Sequence, residues 1–145
     1  MSGFLFIIIC IFLWSGFICA ISFMESWLKF RAPGLTMPVG LNIGKLVFSA
    51  LNKVEWTFVI LITIFIFFNR SKFDFTDGIW FIVIILILIV QTIWLLPGLN
   101  NRAKAITGGA ALPPSKLHWY FVIAEFIKLI ILIVFGVSLL NSLLQ

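Results

Sequence analysis

Four apolar runs, at residues 3–23, 46–68, 78–96 and 116–140, divide this chain, and ten of its fifteen charged residues fall between them. Crossing the hydrocarbon core of a bilayer takes about 20 apolar residues in a helix. Lipid offers no hydrogen bonds, so the backbone of each run must satisfy itself as a helix. The pattern predicts an all-α fold: an integral membrane antiparallel four-helix bundle, with residues 1–145 as one domain. Composition agrees. Hydrophobic residues make up 63% of the chain, charged residues 10%, and mean hydropathy is +1.23. That is too little charge to cover a water-exposed surface, so the expected principal partner is the lipid bilayer. The net charge of +5 does not indicate nucleic acid. The basic residues lie in short connections, where they orient membrane proteins.

The first run is long for a secretory signal, has no Lys or Arg before it and no A-x-A site after it, and is expected to remain a span. Lys29, Arg31, Pro33 and Gly34 predict an interfacial turn over residues 25–37. Thr36 and Pro38 then suit a helix start, with the second helix beginning near residue 39 and its apolar part covering 46–68. Residues 70–77 form a polar connection. Pro97-Gly98 is expected to end the third helix, and residues 99–114 to form a loop. Ser115 is a suitable N-cap for the fourth.

The first and third connections share one side and hold Lys29, Arg31, Lys45, Lys53, Arg102, Lys104 and Lys116. The other side has Arg70 and Lys72, offset by Asp74 and Asp77. This imbalance predicts a multi-pass protein of the cell (inner) membrane, with loops 24–45 and 97–115 cytoplasmic and both termini outside. Trp27, Trp94, Trp119 and Tyr120 gather at the same predicted interface. Cys10 and Cys19 would be about 13 Å apart on a straight helix, too far for a disulfide.

Polar residues inside the runs carry the functional information, because lipid penalises them. Ser15, Cys19, Ser22 and Ser26 fall within about 60° on the first helix, a stripe suited to close helix packing or to a wetted wall. Gly16 adds a further small residue there. On the second helix, Asn42, Lys45, Ser49 and Asn52 form a stripe about 80° wide. Gly40 and Gly44 make a GxxxG packing face, and Glu55 lies between the two. Gln91 enters the third span. On the fourth, His118, Glu125 and Lys128 project within about 80°, with Gly136 in line. Counting from Lys116, Glu125 is about 13 Å deep and Lys128 about 18 Å. A carboxylate three residues before an ammonium pairs favourably; unpaired, each charge would cost about 2.5–3.5 kcal/mol. Cys19, Ser22, Glu55, Gln91, His118, Glu125 and Lys128 are therefore expected to form a polar crevice open to the cytoplasm, sealed outside by apolar sequence. One histidine and no HExxH predict neither metal nor cofactor, and enzyme chemistry is not expected.

Phe30-Arg31-Ala32-Pro33, Gly44-Lys45-Leu46-Val47-Phe48, Trp94-Leu95-Leu96-Pro97 with Arg102, and Leu117-His118 occur in that order. In this order of features the chain resembles the small four-helix membrane family typified by transmembrane protein 205, although its third connection is shorter. The resemblance implies four spans and transfers no catalytic residue. Two functions follow as expectations. One is an accessory or structural subunit that packs against itself or a membrane complex. The other is a small transporter or channel built on Glu125, Lys128 and Glu55.

Overall fold

The computed structural model describes residues 2–68, 75–113 and 115–144. The connection holding Arg70, Lys72 and Asp74 lies outside the described residues, as does Pro114. Four helices are long and apolar enough to span a membrane. Helix α1 is α-helical over Ser2–Ile18, widens into a π-helical stretch at Cys19–Glu25, and closes through short turns at Ser26–Leu28 and Lys29–Arg31. Helix α2 is continuous over Met37–Phe68. Helix α3 combines Phe75–Val90, a π-helical turn at Gln91–Leu95, and Leu96–Thr107. Helix α4 covers Leu117–Leu144.

Contacts between helices define an antiparallel up-and-down bundle. Phe6 of α1 stacks on Phe65 of α2 at 4.0 Å between centroids, and Trp14 meets Glu55 further along. Asp77 and Gln91 of α3 pair with Ser138 and Glu125 of α4, so one numbering rises as the other falls. A large apolar core, including Ile7, Ile11, Phe58, Ile62, Leu132 and Phe135, fills the half of the bundle nearer the termini. In lipid such packing is held by dispersion and close fit, since the tails outside are equally apolar. Gly136 shows the fit: a Cβ there would lie 3.1 Å from Ile11 Cγ2 and 3.3 Å from Phe12 Cζ. A second, smaller apolar group of Phe48, Leu95, Leu96 and Phe121 lies towards the opposite end, here termed the basic end.

The ends of α1 and α3 differ most from expectation, each for a local reason. The first helix does not stop near residue 23 but runs to Arg31, because no glycine or proline intervenes. Pro33 ends it by forcing Ala32 to extended geometry (φ −67°, ψ 126°). Gly34, at φ +79°, then supplies the left-handed turn. Pro97-Gly98 does not end α3. The preceding π turn lets Leu96 N–H reach the carbonyl of Gln91, so Pro97 falls in the first turn of a fresh α-helical segment. A missing N–H is harmless there. Much of the predicted 99–114 loop is therefore helix, which stops at Gly108-Gly109, with Gly109 at φ +90°. Helix α4 begins as foreseen, with Leu117 N–H donating to Ser115 Oγ at 3.2 Å, and continues beyond residue 140 to Leu144.

Candidate functional site

Lys128 lies at the centre of a buried ionic node to which all four helices contribute. Its Nζ donates to Gln91 Oε1 at 2.7 Å and to Glu125 Oε1 at 3.0 Å, and forms an ion pair with Glu55 Oε1. An ammonium has three protons, and here each has its own acceptor. Gln91 Nε2 donates to Glu125 Oε1 at 2.7 Å, and Trp14 Nε1 donates to Glu55 Oε1 at 3.0 Å. Lys128, Glu125 and Gln91 are fully buried, and Glu55 is 1% exposed. Local helix geometry explains the convergence. Glu125 and Lys128 are one turn apart on the inner face of α4, and Gln91 opens the π turn of α3. π turns commonly occur at functional sites; this one directs both Gln91 and Leu95 inward.

The node holds two carboxylates against one ammonium. With both acids ionised its formal charge is −1, and Glu125 Oε2 is buried without a hydrogen-bond partner. Beside it lies a neutral tie between α2 and α3. Thr92 Oγ1 accepts from Asn52 Nδ2 at 2.9 Å and Trp56 Nε1 at 3.0 Å, and donates to the Leu88 carbonyl at 2.7 Å. A third polar contact joins Ser138 Oγ to Asp77 Oδ1 at 3.0 Å. Asp77, expected in a connection, is 3% exposed in the first turn of α3.

The structure brings Glu55, Gln91, Glu125 and Lys128 together and separates the other predicted members. Cys19 is exposed. The inner face of α1 runs through Ile11, Trp14, Ile18 and Ser22, and Cys19 falls about 100° round from Ile18. Ser22 is buried in the π-helical stretch with an unpartnered Oγ. Ser15 is buried and donates to the Ile11 carbonyl at 2.9 Å. Gly16 makes no packing contact, because a Cβ there would find nothing within 4 Å. Gly40 and Gly44 do receive neighbours, but from the same chain: a Cβ would lie 2.5 Å from Phe30 Cε1 at Gly40 and 2.9 Å from Lys29 Nζ at Gly44.

His118 also lies apart from the node. Along α4, His118, Phe121 and Glu125 follow at successive turns, and Phe121 packs on Phe48 of α2 at 5.0 Å between rings. This aromatic layer, completed by Leu95 and Leu96, stands between the node and the basic end. The continuous crevice predicted from sequence is thus two compartments: a sealed node, and beyond the layer a cavity of about 260 Å³ lined by His118, Lys29, Lys45 and Arg102 among others.

Trp14, Trp56 and Thr92 were not anticipated. An indole N–H deep in a lipid-embedded helix must find an acceptor, and that requirement was the available signal for both tryptophans. Among the described residues, no three His, Cys, Asp or Glu side chains converge as a metal-ligand set.

Fold and node together define a four-span helical membrane protein with a buried ionic centre. Comparison of the chain with protein-family models, with curated proteins and with solved structures finds no match.

Proposed function

We propose that this protein is a structural or accessory subunit of a membrane assembly, in which the ionic node locks four helices in one register. One observation carries the reading: every proton of the Lys128 ammonium is taken by a side chain of the bundle itself, from α2, α3 and α4. Apolar layers close the node on both sides. A saturated, enclosed charge is a poor carrier of solute and a good determinant of helix register. The lipid-facing helix surfaces are then free to meet a second copy or a larger complex. The proposed setting is the cell (inner) membrane, with both termini outside and the basic end cytoplasmic, as the charge distribution of the connections favours. Kinship with the transmembrane protein 205 family belongs to this proposal too, on the short motifs given above.

The excess of carboxylates favours a second reading. One unmatched carboxylate, with Glu125 Oε2 unpartnered, is a place where a small transporter or channel would hold a proton or cation. Glu125→Gln separates the two. In a structural subunit it leaves co-purification from mild detergent intact and creates no change in ion or proton flux in proteoliposomes. A pH-dependent flux in the parent protein, abolished by E125Q, would replace the structural reading with the transport one.

A further inference from the structure

We propose that the basic-end cavity is a binding site for the phosphate headgroup and first acyl carbons of an anionic membrane phospholipid. The cavity, about 260 Å³, lies between the end of α1, the start of α2, the end of α3 and the start of α4. Its walls are largely apolar, with Phe30, Leu41, Phe48, Leu96 and Leu99. Lys29, Lys45 and Arg102 also line it, and no carboxylate does among the described residues. An apolar chamber ringed by three cations, of which only Lys29 has a carboxylate partner among the described residues, is complementary to an amphiphile with an anionic head.

Lys29 shows that the site is built rather than incidental. Its side chain is only 10% exposed and pairs with Glu25 at 3.3 Å. The Nζ also lies 5.4 Å from the ring centres of both Phe30 and Phe48. Long cationic side chains at a membrane surface ordinarily extend to water. This one is folded inward against Gly44, whose missing Cβ would sit 2.9 Å from the Nζ. Glu25 occupies one of its N–H groups, and the remaining donors are available to a ligand. Arg102 donates one N–H to the Pro113 carbonyl and keeps the rest of its fork. Asn100 also lines the cavity, and its Oδ1 is buried without a hydrogen-bond partner. An acceptor beside the cations suits the hydroxyls of a glycerol headgroup.

Depth and size point to a lipid rather than a soluble anion. Exposed Trp27, Trp94, Trp119 and Tyr120 surround the same end of the bundle, and such rings settle at headgroup level. The volume falls just short of the roughly 300–1,000 Å³ of pockets for drug-sized ligands. It holds a head and the start of a chain, leaving the tail to lie along the bundle in the bilayer.

The test uses the full-length protein in neutral detergent, with native mass spectrometry reading bound dioleoylphosphatidylglycerol, dioleoylphosphatidylcholine or glycerol 3-phosphate. Phosphatidylglycerol is expected to bind one to one, at least about tenfold tighter than phosphatidylcholine, on the basis of two or three added cationic contacts. Glycerol 3-phosphate is expected not to bind at the same concentrations. Replacing both cations, K45E with R102E, should weaken phosphatidylglycerol about tenfold or more. Leu99→Trp, which fills the chamber without altering charge, should do likewise, and Leu41→Trp serves if L99W does not fold. Lys104→Glu removes a basic-end cation that does not line the cavity and should change binding less than about twofold. Equal binding of the two lipids, tight binding of glycerol 3-phosphate, an undiminished affinity in the filled variant, or a K104E loss as large as the double variant's would each overturn the proposal.

Discussion

The node and the basic-end cavity are neighbours built from similar side chains, yet they solve opposite problems. In the node, one lysine meets three oxygen acceptors from α2, α3 and α4 and is fully buried. In the cavity, three cations face aromatic and aliphatic walls, and Glu25 beside Lys29 is the carboxylate paired there. A layer of Phe48, Phe121, Leu95 and Leu96 divides them. The comparison teaches that an intramembrane charge is defined by how completely the protein itself answers it. A saturated charge holds helices together, and an unsaturated one at the interface recruits a ligand.

The largest expected effect comes from breaking the saturated side. Lys128→Met leaves Glu55 and Glu125 without their counter-charge and should destabilise the bundle by about 3–5 kcal/mol, measured as thermal unfolding in detergent. Combining it with E55Q and E125Q removes the uncompensated charge and should recover most of that loss. A smaller effect is expected where helices approach most closely. Gly40→Leu forces Phe30 off α2, and Gly136→Leu pushes α4 away from Ile11 and Phe12. Each overpacking should cost about 1–3 kcal/mol, and G40L should also disturb the cavity, which Phe30 and Gly40 both line. Trp14→Phe removes one hydrogen bond to Glu55 and preserves most of the ring, so about 1 kcal/mol is expected in a membrane context. At the bottom of the scale, Gly16→Ala adds a methyl group where nothing lies within 4 Å and should stay within about 0.5 kcal/mol.

The helices and the charged members of the node were legible from sequence for one reason. Glu55, Gln91, Glu125 and Lys128 are strongly polar residues in apolar runs, and helical spacing places Glu125 and Lys128 on one face. What the sequence does not display depends on helix phase and on residues that count as apolar. The π-helical stretch at Cys19–Glu25 and an inner face centred on Trp14 and Ile18 leave Cys19 outside. The π turn at Gln91–Leu95 carries the helix through Pro97, a residue that ordinarily marks a stop. Trp14 and Trp56 count as apolar in composition, whereas their N–H groups hold positions in the two polar ties. Phe48 and Phe121 carry no polar signal in sequence, and only their contact across α2 and α4 reveals a partition.

A double-mutant cycle between Lys128 and Glu55, using K128M and E55Q with unfolding free energy as the readout, tests most directly whether the node binds helices together. A coupling above about 1 kcal/mol is expected, within the range seen for residues sharing one ionic network. Additivity of the two substitutions would contradict it, because the Lys128 ammonium would then owe nothing to the carboxylate of α2.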